Sequence, residues 1–290
     1  MFAATRAQPI ANVLSTGVQA RNMGTLREIQ LRLKAIQNIG KITKSMKMIA
    51  STKVGKAQKA MESARVYGST SASIYKNANT VPLENEEKVY IVSSSDRGLC
   101  GGIHSSVAKA TRRMMVADGA PTNIIVLGDK AKNQMSRSHR GNIQLSFNQI
   151  GKAIPTFAEA CAAVDTIKSS GVKFDTATIV FNEFTSAIAY EAIPKNVYSS
   201  EALKASDAFA AYEMDDEVLE NYNEFLFANN IYWGLVEGHA SEMSAKRTAM
   251  ENATKNAGEM VDRLTMTYNR SRQAAITSEL VDIITGASAL

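Results

Sequence analysis

Ser93 to Gly102 reads Ser-Ser-Ser-Asp-Arg-Gly-Leu-Cys-Gly-Gly, the most conspicuous loop of this 290-residue chain. It follows a strand-like segment and opens a helix-like one, where backbone N–H groups could cradle a phosphate. It is neither G-x-G-x-x-G nor the P-loop pattern, and it lacks the P-loop lysine. A turn that needs two glycines, capped by Ser95 or Asp96, accounts for the same residues. Ser105, His104 and Asp96 are the residue types of a hydrolytic triad. Nothing resembles the G-x-S-x-G elbow, however, and sequence neighbours rarely form a triad. Cys100 would be a redox thiol if a helix N-terminus lowered its pKa; a buried structural cysteine is the simpler account.

Three further groups are conspicuous. Lys41, Lys44 and Lys47, with Lys53, Lys56 and Lys59, form a basic stripe at helical spacing. It could bind nucleic acid. No aromatic residue is interleaved before Tyr67, and a partner protein with acidic loops, or an acidic helix of this chain, explains the stripe equally well. Glu213, Asp215, Asp216, Glu217, Glu220 and Glu224 could hold a cation but lack the glycine and ligand order of an EF-hand. A solvated first helical turn, favoured by the helix dipole, fits them better. Met46, Met48, Met243, Met250, Met260 and Met266 read as core or seam fillers, with an adaptable sliding surface as the sharper alternative. His104, His139 and His239 are scattered without metal-ligand spacing, and two isolated cysteines, Cys100 and Cys161, suggest a reducing compartment and no disulfide framework. No metal or cofactor is expected.

The elements that carry these residues follow from periodicity. Thr25 to about Asn77, within a segment 23–77, reads as one long helix with apolar positions at Leu26, Ile29, Leu33, Ile36, Ile39, Ile42, Met46 and Ile49. Gly40, Gly55 and Gly68 each cost about 1 kcal/mol there relative to alanine, so only tertiary packing would keep the helix whole. Residues 207–290 read as a second helix from Asp207 to about Ile284. Val236, Met243, Met250, Ala257 and Leu264 recur every seven residues, accompanied by Tyr232, Ala240, Ala253, Val261 and Tyr268. That repeat imposes a left-handed coiled coil. Residues 25–77 carry eleven bases and two acids, or +9; residues 207–290 carry six bases and fourteen acids, or −8. Opposite charge suits pairing of the two ends. At ~1.5 Å per residue the helices reach roughly 80 and 115 Å. In an antiparallel pair, roughly the last 25 residues would then lack a partner from this chain, and a lone helix of that size is marginal in water.

Residues 85–206 alternate strand and helix patterns. Strands are expected at 88–94, 123–127, 143–147, 175–181 and 187–192, and helices at 103–117, 129–136 and 156–169. This alternation argues for an α/β domain, Rossmann-like, with a mostly parallel sheet. No run of 18 or more apolar residues is present, so no direct membrane span is expected. Residues 1–22 are basic, acid-free and weakly amphipathic, the pattern of a mitochondrial transit peptide, with cleavage expected just before Met23 or Gly24.

The chain resembles the ATP synthase gamma-subunit family over residues 25–290. Three segments carry the likeness: Lys41 to Lys53 (Lys-Ile-Thr-Lys-Ser-Met-Lys-Met-Ile-Ala-Ser-Thr-Lys), Ser95 to Gly102, and Ile276 to Ala289, where Thr277, Glu279, Asp282, Gly286 and Ala287 fit the family signature. Ile103 and His104 depart from the Leu-Asn of many bacterial members. The absence of a cysteine-bearing insertion argues against the chloroplast, redox-regulated type.

The resemblance implies an antiparallel coiled coil entering a hexamer of alpha and beta subunits. It implies a foot domain with the delta and epsilon subunits of the central stalk on the membrane c-subunit ring, peripheral to the mitochondrial inner membrane on its matrix side. It implies a rotor coupling proton flow to ATP synthesis, not itself catalytic, so that the chain alone neither hydrolyses nor tightly binds ATP. Arg272, Gln273 and Thr277 correspond to positions that touch a beta-subunit loop, with Glu279 beside them. Lys41, Lys44, Met46 and Lys47 lie near an acidic beta-subunit loop.

Overall fold

Short runs rich in β-branched and apolar residues mark strands buried on both faces. In the computed structural model, which describes residues 25–82, 87–119, 122–212 and 214–289, three central strands are buried in this way and two flanking strands alternate between covered and exposed positions. The expected targeting segment, Glu213 and the expected start of the middle segment at Asn85 lie outside the described residues. The strands are β1 (Lys88–Ser93), β2 (Asn123–Leu127), β3 (Ile143–Phe147), β4 (Thr176–Phe184) and β5 (Tyr190–Tyr198). They form one sheet in the order β3-β2-β1-β4-β5, parallel except for the β4–β5 pair.

Helices α3 (Ile103–Asp118), α4 (Asp129–Met135) and α5 (Phe157–Ser169) are the crossovers. Thr156 and Glu159 close a reciprocal capping box at the start of α5. β5 lies three residues and more beyond the expected 187–192. Pro194 lies within it opposite Val180, as an edge strand tolerates.

Two long helices complete the chain: α1 (Leu26–Ser71), followed by the single turn α2 (Ser73–Asn77), and, after the short α6 (Ser200–Lys204), α7 (Asp216–Ser288). The expected single helix to Asn77 is interrupted at Ala72. There the hydroxyls of Ser69, Thr70, Ser71 and Ser73 all bond back to carbonyls of the preceding turn, which weakens the ladder. α7 begins at Asp216 rather than Asp207. The preceding residues form a 3-10 turn, Phe209–Ala211, whose Phe209 ring packs on Tyr212, and the acids Asp216 and Glu217 take the first turn.

The described residues divide into two compact units, residues 38–259 and residues 25–37 with 260–289. In the first, α1 and α7 run antiparallel. Thr43 meets Thr254, Lys47 pairs with Glu251, Arg65 with Glu237, and Ser71 with Asn229. The α1 side of this seam is Thr43, Ala50, Val54, Ala57, Met61, Ala64 and Gly68, all buried, at alternating spacings compatible with a heptad. The expected stripe therefore fails after Ile36: Ile39, Ile42 and Ile49 are more than half exposed on the other side of the helix. Small residues line the seam because the backbones approach closely. At Gly68 an added Cβ would lie 2.7–2.9 Å from the Trp233 ring. α7 also covers the sheet. Leu226, Phe227, Ile231 and Leu235 join Ile91, Ile179 and Phe181 in one core, while α3 and α4 close the opposite face over Val92, Val126 and Val180.

In the second unit the half-buried residues are Leu26, Ile29, Leu33 and Ile36 on α1 and Val261, Leu264, Tyr268, Ser271 and Ala275 on α7. Both series step by three and four, as paired helices require. From Ile276 to Ala289 every residue is exposed.

Candidate functional site

The Ser93–Gly102 turn is built as a structural joint. Asp96 Oδ1 accepts from the Asp129 N–H at the start of α4, and Ser95 Oγ accepts from the Arg97 N–H. Neither caps α3, whose N-cap, Gly102, has no side-chain bond. Gly101 takes a positive φ of 66°, as does the non-glycine Leu99 at 64°. The triad types do not converge. His104 Nε2 lies 3.0 Å from the Arg97 carbonyl and 3.1 Å from Cys100 Sγ, while Ser105 Oγ accepts from Gln134. Burial pushes the Cys100 thiol up to about 11 and pulls His104 below its ordinary value, so this pair favours its neutral forms.

The inward face of α7 carries a polar seam that periodicity did not disclose. Asn229, Asn230, Glu237, His239, Ser241, Glu242 and Ser244 are all buried. The Arg65 guanidinium bonds both Glu237 and the Phe184 carbonyl at the end of β4, joining α1, the sheet and α7. Burial raises the Glu237 carboxyl above its ordinary value against the opposing pull of Arg65. Burial likewise raises Glu242, opposed by a hydrogen bond from Ser95 and by Lys246. His239 is driven down to about 4 by burial, then by Lys53 and Lys246. A signal was available: Glu237 and Glu242 are the only acids between Glu224 and Glu251, amid small and apolar neighbours.

The eight residues expected to touch partners fall on two surfaces, one in each unit. On residues 38–259, Lys41 and Lys44 are exposed and their side chains have no bonding partner among the described residues, beside the exposed Ile42, Met48 and Ile49. Met46 and Lys47 are half-buried, and Lys47 Nζ is 2.7 Å from Glu251. Lys47 is thus engaged within its own chain, in the helix pair that the opposite charges favour. The acid cluster is likewise used internally where it is used at all, Asp216 with Lys204 at 2.7 Å and Glu224 with Lys168 at 2.5 Å.

On the other unit, Arg272, Gln273, Thr277 and Glu279 are all exposed. Thr277 Oγ1 bonds back to the Gln273 carbonyl, while the side chains of Arg272, Gln273 and Glu279 make no bond among the described residues. Ile276, Leu280, Ile283 and Ile284 lie 48–67% exposed within an arc of about 100° of the helix. Together these make a bare amphipathic helix end carrying free polar groups.

Among the described residues no helix is long and apolar enough to cross a membrane, and no group of three or more His, Cys, Asp or Glu side chains could hold a metal ion. Comparison with known proteins gives the arrangement a family. A family model described as ATP synthase matches residues 25–290. The mitochondrial ATP synthase gamma subunit of Yarrowia lipolytica is 46% identical over 295 residues, covering the whole of both chains. The mitochondrial F(1) complex gamma subunit of Rattus norvegicus is 45% identical, over 92% of this chain and 99% of its own. Among solved structures, a chain of the Euglena gracilis mitochondrial ATP synthase, OSCP/F1/c-ring, superposes with a TM-score of 0.76 at 22% identity, covering 92% of this chain and 94% of that one. The fold is therefore shared as well as the sequence, and the chain belongs to the gamma-subunit family of ATP synthases.

Proposed function

We propose that this chain is the rotor of the central stalk in a mitochondrial proton-translocating ATP synthase, turning inside a hexamer of alpha and beta subunits and performing no catalysis itself. In this reading residues 23–77 and 207–290 supply the shaft. Residues 85–206 form the foot, which meets the delta and epsilon subunits and the c-subunit ring on the matrix side of the inner membrane, with residues 1–22 removed as a transit peptide. The observation that carries it is the C-terminal end of α7. A helix that leaves Ile276, Leu280, Ile283 and Ile284 in water needs a sleeve from another protein.

The mechanism needs only asymmetry. A shaft with one basic face, at Lys41, Lys44 and Lys47, and one polar set, at Arg272, Gln273, Thr277 and Glu279, meets three equivalent catalytic sites differently. Contacts that differ between site conformations bias their populations, and couplings of about 1–3 kcal/mol are the usual scale. Turning the shaft passes that bias from site to site. The test is removal of residues 281–290 in the assembled complex. The complex should still assemble and hydrolyse ATP, with proton pumping per ATP reduced; unchanged pumping per ATP would overturn the reading.

A further inference from the structure

Within residues 38–259, a cleft of about 580 Å³ opens between α1, α7 and two loops. Its rim carries five cations from four separate segments: Lys53 and Lys56 on α1, Lys246 on α7, Arg97 on the Ser93–Gly102 turn, and Lys152 on the loop before α5. No carboxylate is among its lining residues. Lys53, Lys56 and Arg97 are exposed and enter no ion pair among the described residues. Lys152 donates only to Gln149, and Lys246 lies 3.8 Å from the buried Glu242.

The loop that brings Lys152 is fixed in place. Gly151 has a positive φ of 82°, an added Cβ there would stand 2.7 Å from the Ser95 side chain, and the Ile150 carbonyl accepts from the Asp96 N–H. Deep in the cleft, His239 is 7% exposed, and its Nδ1 has no bonding partner among the described residues. A buried imidazole nitrogen without a partner, on a residue that lines a cleft rimmed by cations, is an unmet polar group in a concave site.

We propose that this cleft binds a multivalent phosphate anion of the pyrophosphate class, held by Lys53, Lys56, Arg97 and Lys246, with His239 donating from below. The volume lies within the range of small-molecule sites, roughly 300–1,000 Å³. Lysines converging from different directions act as point charges on the oxygens of one compact anion, and the guanidinium can engage two oxygens at once. A carboxylate loop of a partner protein is a different occupant; the exposed lysines Lys41 and Lys44, outside the cleft, are open to it without the concavity. The proposal does not rest on the rotor reading, since it concerns the free chain. It also gives the Ser93–Gly102 turn a role toward phosphate through the Arg97 side chain instead of through backbone amides.

The chain has only three histidines, so carbon-13 histidine labelling of the full chain resolves the site. Titration with pyrophosphate at constant ionic strength should move the His239 resonance saturably, with half-saturation below about 1 mM, and raise its pKa from about 4. The His139 resonance, outside the cleft lining, should stay fixed. The combined substitution Lys53→Gln, Lys56→Gln and Arg97→Gln, all at exposed positions, should weaken binding at least tenfold. Lys132→Gln with Arg140→Gln, exposed cations elsewhere, should leave it unchanged. A linear, unsaturable shift, or equal binding by the triple variant, would show charge screening alone and overturn the site. Stronger binding of a hexaglutamate peptide than of pyrophosphate under the same conditions would overturn the assignment to phosphate.

Discussion

Helix α7 is one element by hydrogen bonding and two by environment. From Leu219 to Ala257 its buried residues are closed by the same chain: α1 on one side, the sheet on another, and ion pairs where charge is buried. From Ile276 onward it has the same helical backbone and a comparable supply of isoleucine, leucine and valine, and nothing described covers them. The difference teaches that a coiled-coil repeat specifies a face to be covered but not which chain covers it. Stability of the free chain should therefore depend on the first region. The second should matter when a partner is present.

The largest effect expected from breaking the first region is at Arg65. Its removal leaves the Glu237 carboxylate, fully buried, without its cation and strands the Phe184 carbonyl. Losing one partner of a buried pair costs about 3–5 kcal/mol, and the partial exposure of Arg65 places Arg65→Ala near the lower end. Denaturant unfolding at pH 7.5 measures it. Adding Glu237→Gln should recover much of the loss, because the charge rather than the shape is at fault; a double variant no better than the single one would mean that packing dominates.

A comparable loss should come from pH alone. His239 is held at about 4 by burial, Lys53 and Lys246, against about 6.5 in an unfolded chain. Above pH 6.5 neither state is protonated and stability is intact. As pH falls, the unfolded chain takes up the proton first, and stability declines between pH 6.5 and about 4, by about 3 kcal/mol in all. Glu237 and Glu242, both raised, act in the opposite sense, losing stability as pH rises through their folded values. The His239→Gln variant should show a shallower decline over that window than the parent; equal slopes would mean that the imidazole is solvated.

Glycines sharpen the comparison at single-atom resolution. All three that a propensity argument counts against α1 look alike in sequence. In the structure Gly68 accommodates the Trp233 ring, whereas Gly55 has nothing within 4 Å of an added Cβ. Gly68→Ala should destabilise by about 1–2 kcal/mol, an overpacking cost partly offset by better helix propensity. Gly55→Ala should stabilise by about 1 kcal/mol. Thermal unfolding that moved both in the same direction would show that the seam, not the individual approach, governs these positions.

That contrast also marks how far the residues alone could speak. The sheet was legible because Lys88–Ser93, Asn123–Leu127 and Thr176–Phe184 are near-continuous buried runs, and the α7 seam was legible because Val236, Met243, Met250 and Ala257 keep a seven-residue beat. The α1 seam was not, because close packing selects Gly40, Thr43 and Ala50 for the inside and leaves the larger Ile39, Ile42 and Ile49 outside, inverting the usual reading of hydrophobicity. The polar ladder from Asn229 to Ser244 lies on one helix, but its polar residues follow no period that marks them as buried. The cleft around His239 draws its residues from segments far apart in the chain, and only the fold makes a constellation of them. The candidate contact residues rested on resemblance to a family; the structure adds that Lys47 is engaged at home while Arg272 and Gln273 are free.

The smallest effect on the free chain is expected in the second region. Arg272 and Gln273 are exposed, and their side chains bond to nothing among the described residues. Replacing both by alanine removes two solvated side chains from a helix surface, and changes of this kind fall within about 0.5 kcal/mol. Alanine is also the strongest helix former, so even the sign of that small change should favour the helix. In an assembled complex the same double variant should lower turnover, because free donors at the end of an uncovered helix have function only when a partner supplies acceptors. Measuring unfolding of the free chain alongside turnover of the complex separates the two regions. A stability loss above 1 kcal/mol in the free chain would place Arg272 and Gln273 in the self-closed part of the molecule, and the distinction between the two halves of α7 would fail.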